Sequence, residues 1–268
     1  MVDKADLHVH TTASDGLLKP SEVVLSACKR LSAIAITDHD TVQGLAEARK
    51  AGLKYKVSII PGIELSCFWQ GKECHLLGYH VQDNAPGLMS SLKGIKEARK
   101  ERMEKMISKL RKLGIYLTWQ DLPTDGERTI WGRPHLAQVL VEKKIVTSVA
   151  DAFEKYLGRG RPAYVERKKL TLERAISIIK NAAGVPVIAH PGKSKLIPFL
   201  SSFKNMGIEG VEAYHPEHTF AEVKEIVKAA YKLGLFITGG SDFHGIERCG
   251  APFVGFIAVR RDRCFSVQ

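Results

Sequence analysis

At 268 residues, 44% hydrophobic and 26% charged, the chain has the size and balance of one large globular domain, or of one domain carrying an insertion. No apolar run approaches the roughly 20 residues that cross a bilayer. The first eight residues contain no apolar signal region, so the sequence reads as cytoplasmic rather than membrane-bound or secreted. Forty Lys and Arg against 29 Asp and Glu leave a net charge of +11, which suits an anionic substrate or a nucleic acid and also any basic surface.

Short apolar strands alternate with amphipathic helices, the pattern of βα units around a parallel sheet. Residues 1–7 are expected as a strand, with His8 and His10 facing the same way at its end. Two imidazoles so placed can grip one metal ion, and the polar run 11–16 can turn Asp15 back over them. A helix follows over 20–31, opened by Pro20 and Glu22. Residues 32–37 form a strand that ends at Asp38-His39-Asp40, and Thr41 caps a helix running to about Leu53. The third strand, 57–60, gives way at Pro61-Gly62 to Glu64. Residues 64–69 and 73–81 read as a hairpin. His75 and His80 lie five apart on its return strand, so at most one can share a site with Glu64.

Between about 85 and 165 the strand signal disappears. The chain thus divides into a barrel-forming part, 1–84 with 166–268, and a helical insertion, 85–165. A long helix over 90–113 carries Ile95, Met103, Met106, Ile107 and Leu110 at helical spacing. Its opposite face, rich in Lys and Arg, reads as a solvated surface partnered by Glu97, Glu101 and Glu104 in preference to a polyanion-binding one. Shorter helices span 134–144 and 149–157. The βα rhythm then returns: helices at 172–183, 195–206 and 219–233 alternate with strands that end at His190, at His215 to His218, and at Asp242 to His244. Residues 254–259 can add one more strand. The cysteines, Cys28, Cys67, Cys74, Cys249 and Cys264, form no CxxC pair and are odd in number, against a disulfide framework or a zinc ribbon.

Seven of the ten histidines fall at C-terminal ends of expected parallel strands, where the active sites of α/β barrels lie. With Asp15, Glu64, His75 and Asp242 they exceed the needs of one ion. Two or three divalent ions (Mn, Zn or Fe) bridged by a carboxylate are expected. Asp38 and Asp40 read as supports of ligands, His80 and His135 as structural, and His218 can cap the next helix.

The segments DLHVHTTASDG (6–16), ITDHDTVQG (36–44), PGIELSC (61–67), HLLGYH (75–80), IAHPG (188–192), VEAYHPEH (211–218) and SDFHG (241–245) resemble, in order, the motifs of the PHP (polymerase and histidinol phosphatase) superfamily of metal-dependent phosphoesterases. The middle block is similar to the insertion of its stand-alone members acting on nucleotides or short oligonucleotides. The resemblance implies an α/β fold, a distorted seven-stranded (β/α) barrel, with three metals held by His8, His10, Asp15, His39, Glu64, His75, His190, Asp242 and His244, Glu64 bridging. Cys74 departs from it, standing where an aliphatic residue is expected.

The expected function is hydrolysis of phosphate esters, of nucleotides such as 3′,5′-bisphosphonucleotides or of short oligonucleotides, by a metal-bridging hydroxide. His215 is the candidate proton donor. Arg133, His215 and His218 are candidate substrate contacts, Arg133 because its planar fork suits phosphate. No membrane or obligate protein partner is expected. A histidinol-phosphate-type phosphatase is the rival within enzymes. A nucleic-acid-binding module, with 134–157 as a helix-turn-helix, is the rival outside them and would contain no stoichiometric metal.

Overall fold

In the computed structural model, which describes residues 3–122, 131–166, 168, 170–245 and 251–260, eight strands share one sheet. They are β1 (Lys4–Val9), β2 (Ala33–Ile36), β3 (Ser58–Trp69), β4 (Lys72–Tyr79), β5 (Val185–Ile188), β6 (Gly210–Tyr214), β7 (Phe236–Gly239) and β8 (Val259–Arg260). The α-helices are α1 (Pro20–Ala27), α2 (Leu45–Tyr55), α3 (Pro86–Lys112), α4 (Arg133–Glu142), α5 (Val149–Ala152), α6 (Leu172–Asn181), α7 (Leu200–Asn205) and α8 (Phe220–Leu233). The chain separates into two units, residues 1–91 with 169–268, and residues 92–168.

The first unit contains the sheet, in the order β7-β6-β5-β4-β3-β2-β1-β8. β1, β2 and β3 run parallel, as do β5, β6 and β7. β4 is antiparallel to both its neighbours, and the two-residue β8 is antiparallel to β1. One buried cluster draws Ala5 and Leu7 from β1, Ala33 and Ala35 from β2, Leu77 and Tyr79 from β4, and Val187 from β5. Strands so far apart in the order can share a core only if the sheet curls around it. The curl nearly closes where the end of β7 meets β1. There the His10 N–H donates to the Phe243 carbonyl at 2.9 Å, and Val9 bridges Phe243. A Cβ on Gly240 would lie 2.4 Å from the His8 nitrogen, so only glycine lets the two strands approach this closely. This is the expected α/β barrel, with the short eighth strand added to its seven. No helix among the described residues is long and apolar enough to cross a membrane.

Three local expectations are corrected. Pro61-Gly62 does not interrupt a strand; β3 runs through it for 12 residues. Pro61 stands where β3 leaves β2 (Ile36 pairs with Pro61) for β4 (Gly62 pairs with Tyr79), a switch at which a missing N–H costs little. Thr41 does not cap α2: its hydroxyl accepts from the Gln43 N–H, and α2 begins later, after Gly44. The helix expected over 195–206 starts only at Ile197, as a 3₁₀ turn leading into α7, because Lys195 adopts a left-handed backbone with φ 53°.

In the second unit the stripe Met103, Met106, Ile107 and Leu110 of α3 packs with Leu117, Leu136, Leu140 and Leu157 into a separate core. Two cations of the basic face have internal partners. Arg102 Nε donates to the Val165 carbonyl at 2.8 Å and Lys109 Nζ to that of Tyr164 at 2.6 Å.

Candidate metal centre

The ends of β1, β2, β5 and β7, the middle of β3 and of β4, and the turn after β1 build the site. Asp38, after β2, accepts from the Thr11 N–H at 2.7 Å, the Thr11 hydroxyl at 2.7 Å and the Ser14 hydroxyl at 2.6 Å. It thereby folds the turn after β1 so that Asp15 returns toward His10. Asp40 accepts from the Ser66 N–H at 3.0 Å, and its own N–H donates to the Glu64 carbonyl at 2.9 Å, fastening Glu64 beside His39. Both aspartates fasten segments that carry candidate ligands. Asp40, His190 and Asp242 all have left-handed backbones, with φ of 53°, 26° and 50°. Such conformations cost non-glycine residues about 1–2 kcal/mol each and gather at functional sites.

The side chains converge on Glu64 and Asp242. Glu64 Oε2 lies 3.3 Å from His8 Nε2, 3.2 Å from His10 Nε2 and 3.0 Å from His39 Nδ1. Its Oε1 lies 2.8 Å from His75 Nδ1 and 3.2 Å from His190 Nε2. Asp242 Oδ1 is 3.3 Å from His8 Nε2, 3.1 Å from His10 Nε2 and 3.6 Å from His244 Nδ1. Asp15 Oδ1 is 3.3 Å from His244 Nε2. All nine candidate ligands thus lie in one contiguous cluster.

The donor set fits divalent metal. His8 Nε2, both ring nitrogens of His10, His39 Nδ1, His75 Nδ1 and Glu64 Oε2 are buried atoms without a hydrogen-bond partner. Orphaned polar atoms are costly, and so many together need a common partner. Ligand atoms on one ion at bonds of about 2.1 Å stand roughly 3.0–3.4 Å apart, the spacing seen here. Three overlapping groups bring one ligand atom from each residue within 4.8 Å of the others: His10, Asp15, His39 and His244; His8, His10, Glu64 and Asp242; and His39, Glu64 and His75. His190 reaches the cluster through Glu64.

Charge points the same way. Burial pushes the Asp15, Glu64 and Asp242 carboxyls up, but the imidazoles around them hold all three well below the usual carboxylate range. Burial lowers His8, yet Glu212, Asp242 and Glu64 together raise it well above the ordinary imidazole value. Burial leaves His190 below that value despite Glu64. Three ionised carboxylates in so small a buried volume call for positive charge.

His215 reaches the cluster: its Nε2 is 3.3 Å from Asp242 Oδ2, and its Nδ1 accepts from the Glu217 N–H at 3.1 Å. His218 does not. Its Nε2 accepts from the Gly192 N–H and its Nδ1 donates to the Ala213 carbonyl, so neither nitrogen is left for substrate. Nor does it cap α8, a place taken by Thr219. His75 lies beside Glu64 while His80 sits beyond β4, and His135 accepts from the Gly132 N–H at the start of α4. Arg133 belongs to the second unit, where its guanidinium lies 5.4 Å from the Phe153 ring centre and 5.8 Å from that of Tyr164. Sequence reasoning passed over Glu212, whose carboxylate is fully buried against His8. An acid between Val211 and Ala213 in an apolar strand was its visible signal.

The chain is 35% identical over 251 residues to a 3′,5′-nucleoside bisphosphate phosphatase of Chromobacterium violaceum, covering 89% of this chain and 86% of the relative. It is 34% identical over 252 residues to the 5′-3′ exoribonuclease Rnm of Escherichia coli, covering 89% and 84%. A solved structure from Bifidobacterium adolescentis, described as a metal-dependent phosphoesterase, superposes with a TM-score of 0.87 at 28% identity, covering 97% and 93%. The PHP domain matches residues 6–159, more than half the sequence. With its curled sheet and its histidine and carboxylate cluster, the chain belongs to the PHP domain family.

Proposed function

We propose that this protein is a hydrolase that cleaves phosphate esters of nucleotides, such as 3′,5′-bisphosphonucleotides, or of short oligonucleotides. In this reading His8, His10, Asp15, His39, Glu64, His75, His190, Asp242 and His244 hold two or three divalent ions (Mn, Zn or Fe), with Glu64 as the bridge. The observation that carries it is the group of buried, hydrogen-bond-orphaned imidazole nitrogens around the Glu64 carboxylate. The relatives named as a bisphosphate phosphatase and an exoribonuclease support the substrate class.

Divalent ions bound there would acidify a water and neutralise phosphate oxygens. The protein supplies the rest. Because His215 Nδ1 accepts from a backbone N–H, the ring proton of the neutral form sits on Nε2, next to Asp242. From there it can pass to the leaving oxygen, which makes His215 the proton donor. Arg133 has no carboxylate partner among the described residues and is steadied by two aromatic faces. A guanidinium held in this way offers a forked pair of donors to a phosphate.

A phosphate-release screen over 3′,5′-bisphosphonucleotides, mononucleotides, short oligonucleotides and histidinol phosphate, run with elemental analysis of the purified protein, tests the proposal. Metal at two or three equivalents with release from the nucleotide substrates is expected. Preference for histidinol phosphate would replace the substrate class. Nucleic-acid binding without stoichiometric metal would replace the enzyme reading.

A further inference from the structure

We infer that Glu212 is a positioning residue that orients two candidate ligands at once, fixing the His8 ring so that Nε2 faces the centre and pinning the backbone of His190. The inference rests on the metal-site reading given above. Glu212 lies in β6 with no exposed surface, and both its oxygens are in use. Oε1 is 3.0 Å from His8 Nδ1, and Oε2 accepts from the His190 N–H at 2.9 Å.

The chemistry of the pair dictates the orientation. An ionised carboxylate only accepts, so His8 Nδ1 must carry a proton and donate it. In the neutral ring, Nε2 is then a lone pair. That atom faces Glu64 Oε2 and Asp242 Oδ1, each 3.3 Å away, and makes no hydrogen bond. Two carboxylate oxygens around that atom call for a cation there, a proton on the ring or a metal ion in its place, and Glu212 keeps Nε2 turned toward them in either case. The other oxygen acts at a second point. His190 holds the left-handed backbone with φ 26°, and its N–H is tied to Glu212. The His8 and His190 rings lie nearly parallel, 17° apart with centres 5.8 Å from one another.

Glu212→Gln separates this role from simple packing. The amide matches the carboxylate in shape but presents one oxygen and one NH₂ group. If its oxygen stays on the His190 N–H, the NH₂ meets His8 Nδ1 and drives the proton to Nε2, the atom that must bind metal. If the oxygen turns to His8, the His190 N–H faces another donor. Either way one ligand is lost from position.

The test has two readouts. Zn²⁺ affinity, measured by competition with a chromophoric chelator, should fall roughly tenfold to a hundredfold in Glu212→Gln, the usual cost of losing such a support. Two-bond ¹⁵N–¹H spectra of the metal-free wild type should show a proton on His8 Nδ1. An affinity within twofold of wild type in the folded variant, or a bare Nδ1 in the wild type, would overturn the inference. Should Glu212→Gln fail to fold, the wild-type spectrum decides alone. A wild type that binds no Zn²⁺ yet carries the Nδ1 proton would refute the metal reading and leave the positioning role standing.

Discussion

Asp6 is the residue whose loss should cost the barrel most for the fewest atoms. Its Oδ1 accepts from the His8 N–H at 3.2 Å and the Ser241 N–H at 2.9 Å. Its Oδ2 accepts from the Ser241 hydroxyl at 2.6 Å and the Gly255 N–H at 2.7 Å. Burial pushes its carboxyl up to about 6 while these donors pull it down, so it is ionised at pH 8. In Asp6→Ala the Ser241 hydroxyl can rotate to another acceptor and the half-buried Gly255 N–H can be hydrated. The His8 and Ser241 N–H groups have neither escape. Two stranded buried donors at about 1–3 kcal/mol each give roughly 2–6 kcal/mol. At about 2–4 °C per kcal/mol for a protein of this size, Tm should fall by roughly 4–24 °C. The assay is thermal unfolding of the metal-free protein in chelator, since a bound ion would mask part of the loss. Asp6→Asn, which keeps one acceptor, should fall between. A drop of less than about 2 °C in Asp6→Ala would refute the reasoning.

Gly240→Ala places a methyl 2.4 Å from His8 backbone and Cβ atoms, and should cost about 1–3 kcal/mol together with metal content. Unchanged Tm and metal stoichiometry would show that β1 and β7 can part without loss. Asp15→Ala and His244→Ala should each lose metal and most turnover while remaining folded, as elemental analysis and circular dichroism would report. Arg133→Ala should keep its metal but lose on the order of tenfold to a hundredfold in kcat/KM. Arg133→Lys should recover only part of this, because an ammonium cannot form the forked contact; identical kinetics in all three would return Arg133 to a packing role. Chelation should abolish phosphate release, and restoring a free ion to about 100-fold above its Kd should add about 2.7 kcal/mol of stability, visible as a higher Tm.

What could be read without coordinates was the part that alternation and periodicity encode. The strands ending at His39, His190, His215 and Asp242, and the buried stripe of α3, lie where their patterns put them. What failed depended on distant partners. Pro61-Gly62 looks like a turn in isolation and becomes strand because β3 exchanges β2 for β4 at that point. Lys195 carries no local mark of a left-handed backbone. His218 resembles His215 in its setting, yet Gly192 and Ala213 occupy both its nitrogens. Glu212 needed His8, 204 residues away, to show its purpose.

The junction of β1 with the end of β7 also places the centre in time. Asp6 and Ser241, which meet there, are 235 residues apart. At about 5–20 residues per second the ribosome takes roughly 10–50 s to connect them. For most of that interval His8 and His10 are present while Asp242 and His244 do not yet exist. An ion meeting the nascent chain would find only a fragment of the candidate ligand set. Pairing across such a sequence distance is also intrinsically slow. The full set of candidate ligands can accordingly come together only once His244 has been made, which sets the earliest moment at which an ion could meet a complete centre.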